Sequence, residues 1–221
     1  PQWHALLELK KGKPINSNRN YLSEPFDAKI ELEETLKLII NKPLSACRYP
    51  ARKRFIESTL LIADGSLTFV ECAKYSEFLK SVLNDAIYLV YASENVTTAS
   101  SMMGHAMLRL DGKNNNGLDV KHGVTFFTEL DTLNIPNLMF ETLITGKEGI
   151  FKVAPYAPYQ FHYREVEQRN IWEYKLIVSD YQRALIRDRI WELTYDNPSY
   201  FFAKYNCATL KPVPYTHLNM H

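Results

Sequence analysis

The stretch AIYLVYASENVTTASSMMGHAMLRLDGKNNNGLDVKHGVTFF, Ala86 to Phe127, decides how the rest of the chain is read. It opens with AIYLVYA (Ala86 to Ala92), an unbroken apolar run of the kind that fills a strand buried on both faces. Gly104 to Asp111 and Val120 to Phe127 read as two further strands, and the turn-rich DGKNNNGLD joins them. Along the first of this pair, His105, Met107 and Arg109 alternate onto one face, and Ala106 and Leu108 point to the other.

Before this stretch the texture is different. Residues 1–84 read as a mainly helical region. Trp3, Leu6, Leu7 and Lys10 fall at helical spacing until Gly12 and Pro14 end the segment. A second helix is expected from about Phe26 to Ile40, and Pro50 starts a third that runs to about Leu61. A fourth, from about Val70 to Leu83, places Cys72, Tyr75, Phe78, Leu79 and Val82 on one side. After it, residues 85–221 read as an α+β domain. Asn137 to Thr145 is expected to form a short helix ended by Gly146, and Phe151 to Ala154 and Asn170 to Val178 to form strands. Ser179 and Gln182 make a capping box before a helix whose apolar face is Leu185, Ile186, Ile190, Trp191 and Leu193.

Composition excludes several function classes. The 221 residues carry 26 basic and 25 acidic side chains, a net charge of +1, with no basic stripe interleaved with aromatics. Nucleic acid is therefore not an expected partner. No apolar run approaches the roughly 20 residues of a membrane helix. The three cysteines are an odd number. Either Cys47 and Cys72 form a disulfide and Cys207 is left as a free thiol, or all three are reduced and two pack as small hydrophobes.

Two residues could carry chemistry together. Cys207 ends the aromatic run YFFAKYNC and, if a helix begins near Asn206, its thiol sits at the positive helix end that favours a thiolate. Backbone amides there could hold an oxyanion. His105 follows Gly104, whose lack of a side chain lets backbone or substrate approach closely. A cysteine nucleophile takes its base from elsewhere in the fold, so their wide separation is expected. His122 begins the next strand and, across the hairpin, could fix the tautomer of His105 as a third member. Arg109 could bind a substrate carboxylate or phosphate, or pair with Asp111 or Glu173. The aromatic stretch from Tyr156 to Tyr163 could line a cleft or fill the core. Each residue also has a plainer role: a buried cysteine behind aromatics, a histidine bonded to backbone, an exposed loop histidine. Ser100 and Ser101 lie near His105, where a turn role accounts for them. There is no His-Glu-x-x-His, no Cys-x-x-Cys pair, and His4, His162, His217 and His221 share no ligand spacing. No phosphate-cradling glycine loop occurs, so neither metal nor cofactor is expected.

ALLELKKG, CRYPARKRFI, SMMGHAMLRLD, GIFKVAPY, NIWEYKL and YFFAKYNC occur in this order. Together they resemble the bacterial periplasmic domain family named for the N-terminal region of Lnb proteins, over nearly the whole chain. The resemblance implies a disulfide between Cys47 and Cys72, an oxidising compartment, and the periplasm or cell envelope of a Gram-negative bacterium. The order of a strand histidine followed by Asn-Cys is also similar to circularly permuted papain-like enzymes of the NlpC and lecithin:retinol acyltransferase type. That similarity implies an α+β fold with an antiparallel sheet core and packed helices behind the helical N-terminal region. It gives Cys207 the role of nucleophile, His105 of base and His122 of orienter; Gly104, Arg109, Tyr156 and Asn206 are the residues expected to face substrate. One departure is Lys211-Pro212-Val213-Pro214, which stops any helix after Cys207 at a single turn unless residues are missing after Leu210.

The function expected is a cysteine-dependent hydrolase or acyltransferase. It would act on an amide, ester or thioester of an envelope component, a peptidoglycan peptide or an acylated lipid or lipoprotein, in a membrane-proximal setting. The alternative is a non-catalytic binding or assembly module on the same fold. A metal-dependent hydrolase is a third, weaker reading.

Overall fold

A computed structural model describes residues 2–16, 19–62, 67, 70–95, 104–129, 137, 140–202 and 204–207. The first half of the chain contains α1 (Gln2–Leu6), β1 (Leu9–Lys10), β2 (Lys13–Pro14), α2 (Ala28–Asn41), α3 (Pro43–Ala46), α4 (Pro50–Thr59) and α5 (Ala73–Ser81). There follow β3 (Ala86–Ala92), β4 (His105–Lys113), β5 (Asp119–Phe127), a π-turn at Glu141–Thr145, β6 (Lys147–Glu148) and β7 (Ile150–Pro155). The rest is α6 (Tyr156–Phe161), a second π-turn at His162–Val166, β8 (Ile171–Lys175), α7 (Asp180–Leu193) and β9 (Ser199–Tyr200). The chain is α+β, with helices ahead of an antiparallel sheet. The described residues fall into two compact units, one drawn from 1–81 and 179–196, the other from 82–178 and 197–211.

In the helical unit, Asp27 caps α2 by accepting from the Lys29 and Ile30 amides, and the expected capping box at Ser179 and Gln182 starts α7. Ile39, Ala46 and Ile56 form the core of α2, α3 and α4, and Trp3 stacks on Phe55. Cys47 and Cys72 are bonded to each other, and the Trp191 indole donates to the Cys47 carbonyl at 2.9 Å. The arginines of CRYPARKRF are all engaged. Arg52 pairs with the fully buried Glu31 at 2.5 Å, and its amide donates to Glu192 at 3.0 Å. Arg54 pairs with Asp188 at 2.6 Å, and Arg48 donates to the Tyr195 carbonyl at 2.7 Å.

The first helix is shorter than the periodicity predicts. It stops at Leu6, because Glu8 (φ 55°), Lys11 (φ 51°) and Gly12 (φ 77°) turn the chain into the small β1–β2 hairpin. The predicted third helix starts at Pro50 as expected and ends at Thr59, with the separate turn α3 ahead of it. The predicted strand to Val178 ends at Lys175.

The sheet unit is ordered β7-β5-β4-β3-β8, every neighbour antiparallel. The three strands of Ala86–Phe127 are its centre. Register pairs Ala92 with His105 and Leu110 with His122. On the face that carries His105, Val90 and Met107 bury against Tyr156 of α6. The opposite face carries the buried Ile87, Leu108, Leu110, Val124 and Phe126. The region expected to be a helix before Gly146 closes as a π-turn, with the Gly146 amide donating to Glu141 at 2.7 Å. Gly146 has φ 81° and lies so close to the Phe201 ring that a β-carbon would stand 2.5 Å from it.

Candidate functional site

Antiparallel pairing fixes which side chains can meet. Residues opposite one another share a face, and the pairing of Arg109 with Gly123 puts the odd-numbered positions of β4 and β5 together. His105, Met107 and Arg109 therefore share a face with Gly123 and Thr125. The His105 imidazole uses this placement, with its Nε2 2.7 Å from Thr125 Oγ1. Thr125 is buried, 3% exposed, so this bond is shielded from water.

The sheet does not bring His122 to His105. His122 lies opposite Leu110, five residues along β4 from His105, about 16 Å away at the rise of a strand. It also projects to the other face, where its Nδ1 is buried without a hydrogen-bond partner among the described residues. Period-two alternation explains the difference: a shift of one residue moves a side chain through the sheet.

The second π-turn covers the imidazole. The Glu167 amide donates to the His162 carbonyl, an i to i+5 bond that widens the helix by one residue. Such turns are rare and gather at functional sites. This one sets the Tyr163 ring 6.2 Å from the His105 ring. Arg169 follows, 7% exposed, its guanidinium 5.4 Å from the Tyr163 ring centre and its amide donating to the Tyr163 carbonyl. Burial, with the Arg169 charge added, lowers the pKa of His105 to about 4. At neutral pH the imidazole is uncharged, the form a base requires.

Cys207, the free cysteine, is held by a tight knuckle. Phe201 and Tyr205 exchange backbone hydrogen bonds of 2.8 and 3.2 Å, and the Phe202 amide donates to the Thr142 carbonyl of the first π-turn. The Asn206 side chain then ties back to the Phe202 carbonyl at 2.5 Å. The Tyr200 phenol is pushed above its ordinary range by burial and then by the charge and hydrogen bonding of the Cys207 thiol. The Tyr163 phenol is also raised, by burial above all, and the charge of Cys207 contributes. Tyr163 thus has His105 beside its ring and lies within electrostatic reach of Cys207.

The other expected contacts with substrate have structural partners. Arg109, 5% exposed, binds both oxygens of Asp111 at 2.8 and 3.1 Å and Glu173 at 2.5 Å, clasped between the Tyr88 and Tyr156 rings. Tyr156 is 2% exposed and donates to Glu173 at 2.9 Å, so it is core rather than cleft wall. Gly104 has φ 69°, and a β-carbon there would sit 2.7 Å from the Tyr91 hydroxyl, so its space is filled by Tyr91. Ser100, Ser101, His217, His221 and the segment Leu210 to Pro214 lie outside the described residues.

Thr125 and Arg169 had no signal in local sequence, whereas Tyr163 ends the aromatic stretch read as a possible cleft wall. Thr125 could have been found from the hairpin register, since the pairing of Lys113 with Asp119 fixes which residues of β5 share the His105 face. The π-turn has no sequence signature of its own.

Residues 74–210 match the Lnb N-terminal periplasmic domain, and the chain belongs to that family. Comparison with curated proteins and with solved structures returned no match. The domain is periplasmic, and its disulfide suits an oxidising compartment. Among the described residues no helix is long and apolar enough to cross a membrane.

Proposed function

We propose that this periplasmic domain is a cysteine-dependent hydrolase or acyltransferase on a permuted papain-like plan, acting on an amide, ester or thioester of a cell-envelope component. The observation that carries the reading is the His105 imidazole, uncharged and fixed at Nε2 by the buried Thr125, beside a tyrosine that also feels the Cys207 thiol. With Nε2–H donating to Thr125, Nδ1 keeps the lone pair that takes the thiol proton. The Cys207 thiolate then attacks the carbonyl carbon, forming the S–C bond and moving the carbonyl electron pair onto oxygen. Collapse of that intermediate breaks the bond to the leaving amine, alcohol or thiol, which departs with the proton held by His105. Water or an acceptor amine or hydroxyl, deprotonated by the same histidine, releases the acyl group. Thr125 takes the orienting role that the sequence suggested for His122.

The test is the pH dependence of Cys207 alkylation by iodoacetamide, in wild type and His105→Ala. A thiol pKa well below the free value of about 8.5, raised by the substitution, is the expected result. A thiol indifferent to His105 would sink the catalytic reading and favour a binding or assembly module.

A further inference from the structure

The buried arginines of this chain differ in how fully they are matched. Arg109 has Asp111 and Glu173 on three nitrogens. Arg169 is as deeply buried, its side chain 3% exposed, yet it meets a carboxylate only through Nε, 2.7 Å from Glu167. Its Nη1 and Nη2 have no hydrogen-bond or ion-pair partner among the described residues, and neither has the Tyr163 hydroxyl. Arg169 and Tyr163 both lie next to His105, and Tyr163 is also within reach of the Cys207 charge.

We propose that the Nη edge of Arg169, together with the Tyr163 hydroxyl, forms a subsite for an oxyanion group of the substrate, a carboxylate or a phosphate, beside Cys207 and His105. The inference rests on the Cys207–His105 reading and adds to it the charge of the substrate. Two N–H groups in one plane fit two oxygens of a carboxylate or phosphate, and such charge-assisted pairs are the stronger class of hydrogen bond. The Nη atoms and the Tyr163 hydroxyl are not among the fully buried unpartnered atoms, so an arriving oxyanion can reach them. The arginine is also braced to receive one. Its amide is tied to the Tyr163 carbonyl, Glu167 holds Nε, and the Glu167 backbone is held in turn by Asn95 at 2.5 Å. Other charged or titratable groups around it are His162, 3.4 Å from Glu167, and the imidazole of His105. Glu167 cancels most of the long-range field of Arg169, so recognition acts at contact distance rather than by steering.

Two alkylating agents of similar size and different charge test this at Cys207. The rate ratio of iodoacetate to iodoacetamide is measured at neutral pH and fixed ionic strength, in wild type, Arg169→Gln and Arg169→Lys. Arg169→Gln is expected to lower the ratio about tenfold, and Arg169→Lys to lie between; a change in thiol reactivity common to both reagents cancels in the ratio. Inorganic phosphate or acetate should slow iodoacetate on the wild type and have no effect on Arg169→Gln. Protection by phosphate alone assigns a phosphate group, and protection by acetate alone a carboxylate. A ratio unchanged by Arg169→Gln overturns the subsite, as does a wild type that neither anion protects, which decides the matter even if the variants fail to fold. The iodoacetamide pH profile is read separately, so loss of the subsite and loss of the Cys–His pair are distinguishable.

Discussion

The two units treat buried charge in opposite ways. In the helical unit Glu31 accepts from the Leu22 and Ser23 amides, the Ser23 hydroxyl and Arg52. Arg19 bridges Glu8 and Asp196, and Arg189 bridges Glu8 and Glu192. In the sheet unit Arg109 is matched as fully, but near His105 the terminal nitrogens of Arg169 have no partner among the described residues. The difference lies in the ionic partners: Arg19, Arg52 and Arg189 of the helical unit each meet a carboxylate through their terminal nitrogens, and Arg169 meets one through Nε alone.

The comparison can be broken first at the fully buried Glu31. Arg52→Ala leaves Glu31 buried without its cation, so a loss of about 3–5 kcal/mol is expected. Urea unfolding followed by the fluorescence of Trp3 and Trp191, both in this unit, would show it as a lower midpoint. A change near zero would mean that the network does not hold the unit.

The next largest effect lies in the sheet unit and depends on pH. The folded pKa of His105, about 4, lies below the ordinary 6.5, so the unfolded chain binds more protons between these values. The contribution of His105 is therefore fully present above pH 6.5 and is lost as pH falls toward 4. Over that window wild type should lose about 2 kcal/mol more than His105→Asn, allowing for partial exposure of the ring. Parallel curves for the two proteins would remove the account of a neutral, desolvated imidazole.

Thr125→Val sharpens the contrast at nearly constant volume. It takes away the partner of Nε2, and the alkylation rate of Cys207 should drop about tenfold near pH 7, with Thr125→Ser recovering most of it. Full reactivity in the valine variant would mean that the imidazole needs no orienting partner. The smallest effect is expected at the cap of α7, where Ser179→Ala should cost about 1 kcal/mol in the same urea experiment. That value calibrates what one ordinary local bond contributes beside the Arg52 network.

The elements that follow from local pattern were legible in the sequence. The apolar run of β3, the turn between β4 and β5, the capping box of α7 and the Pro50 start of α4 each depend on residues close together. The first helix shows the limit. Trp3, Leu6 and Leu7 fit a helix that continues, but the chain turns at Glu8 through backbone angles that the apolar pattern does not report. For the site, His105 and Cys207 stood out because of their neighbours in sequence. Their surroundings did not, because Thr125, Tyr163 and Arg169 are assembled by strand register and by a π-turn. The roles read for Arg109 and Tyr156 went to the core for a related reason. An arginine on a strand face looks alike from sequence whether it meets a ligand or, as here, Asp111 and Glu173.

The placement of α7 bears on how the molecule is made. The chain leaves the helical unit after residue 81, builds most of the sheet unit, and returns for residues 179–196 before leaving again. Asp188, Glu192 and Asp196, which receive Arg54, Arg52 and Arg19, are all on that returning segment. On the ribosome residues 1–81 therefore emerge with cations whose partners follow 134, 140 and 177 residues later. Most of the helical unit precedes the sheet in the chain, yet it can close only after nearly the whole sheet has been synthesised.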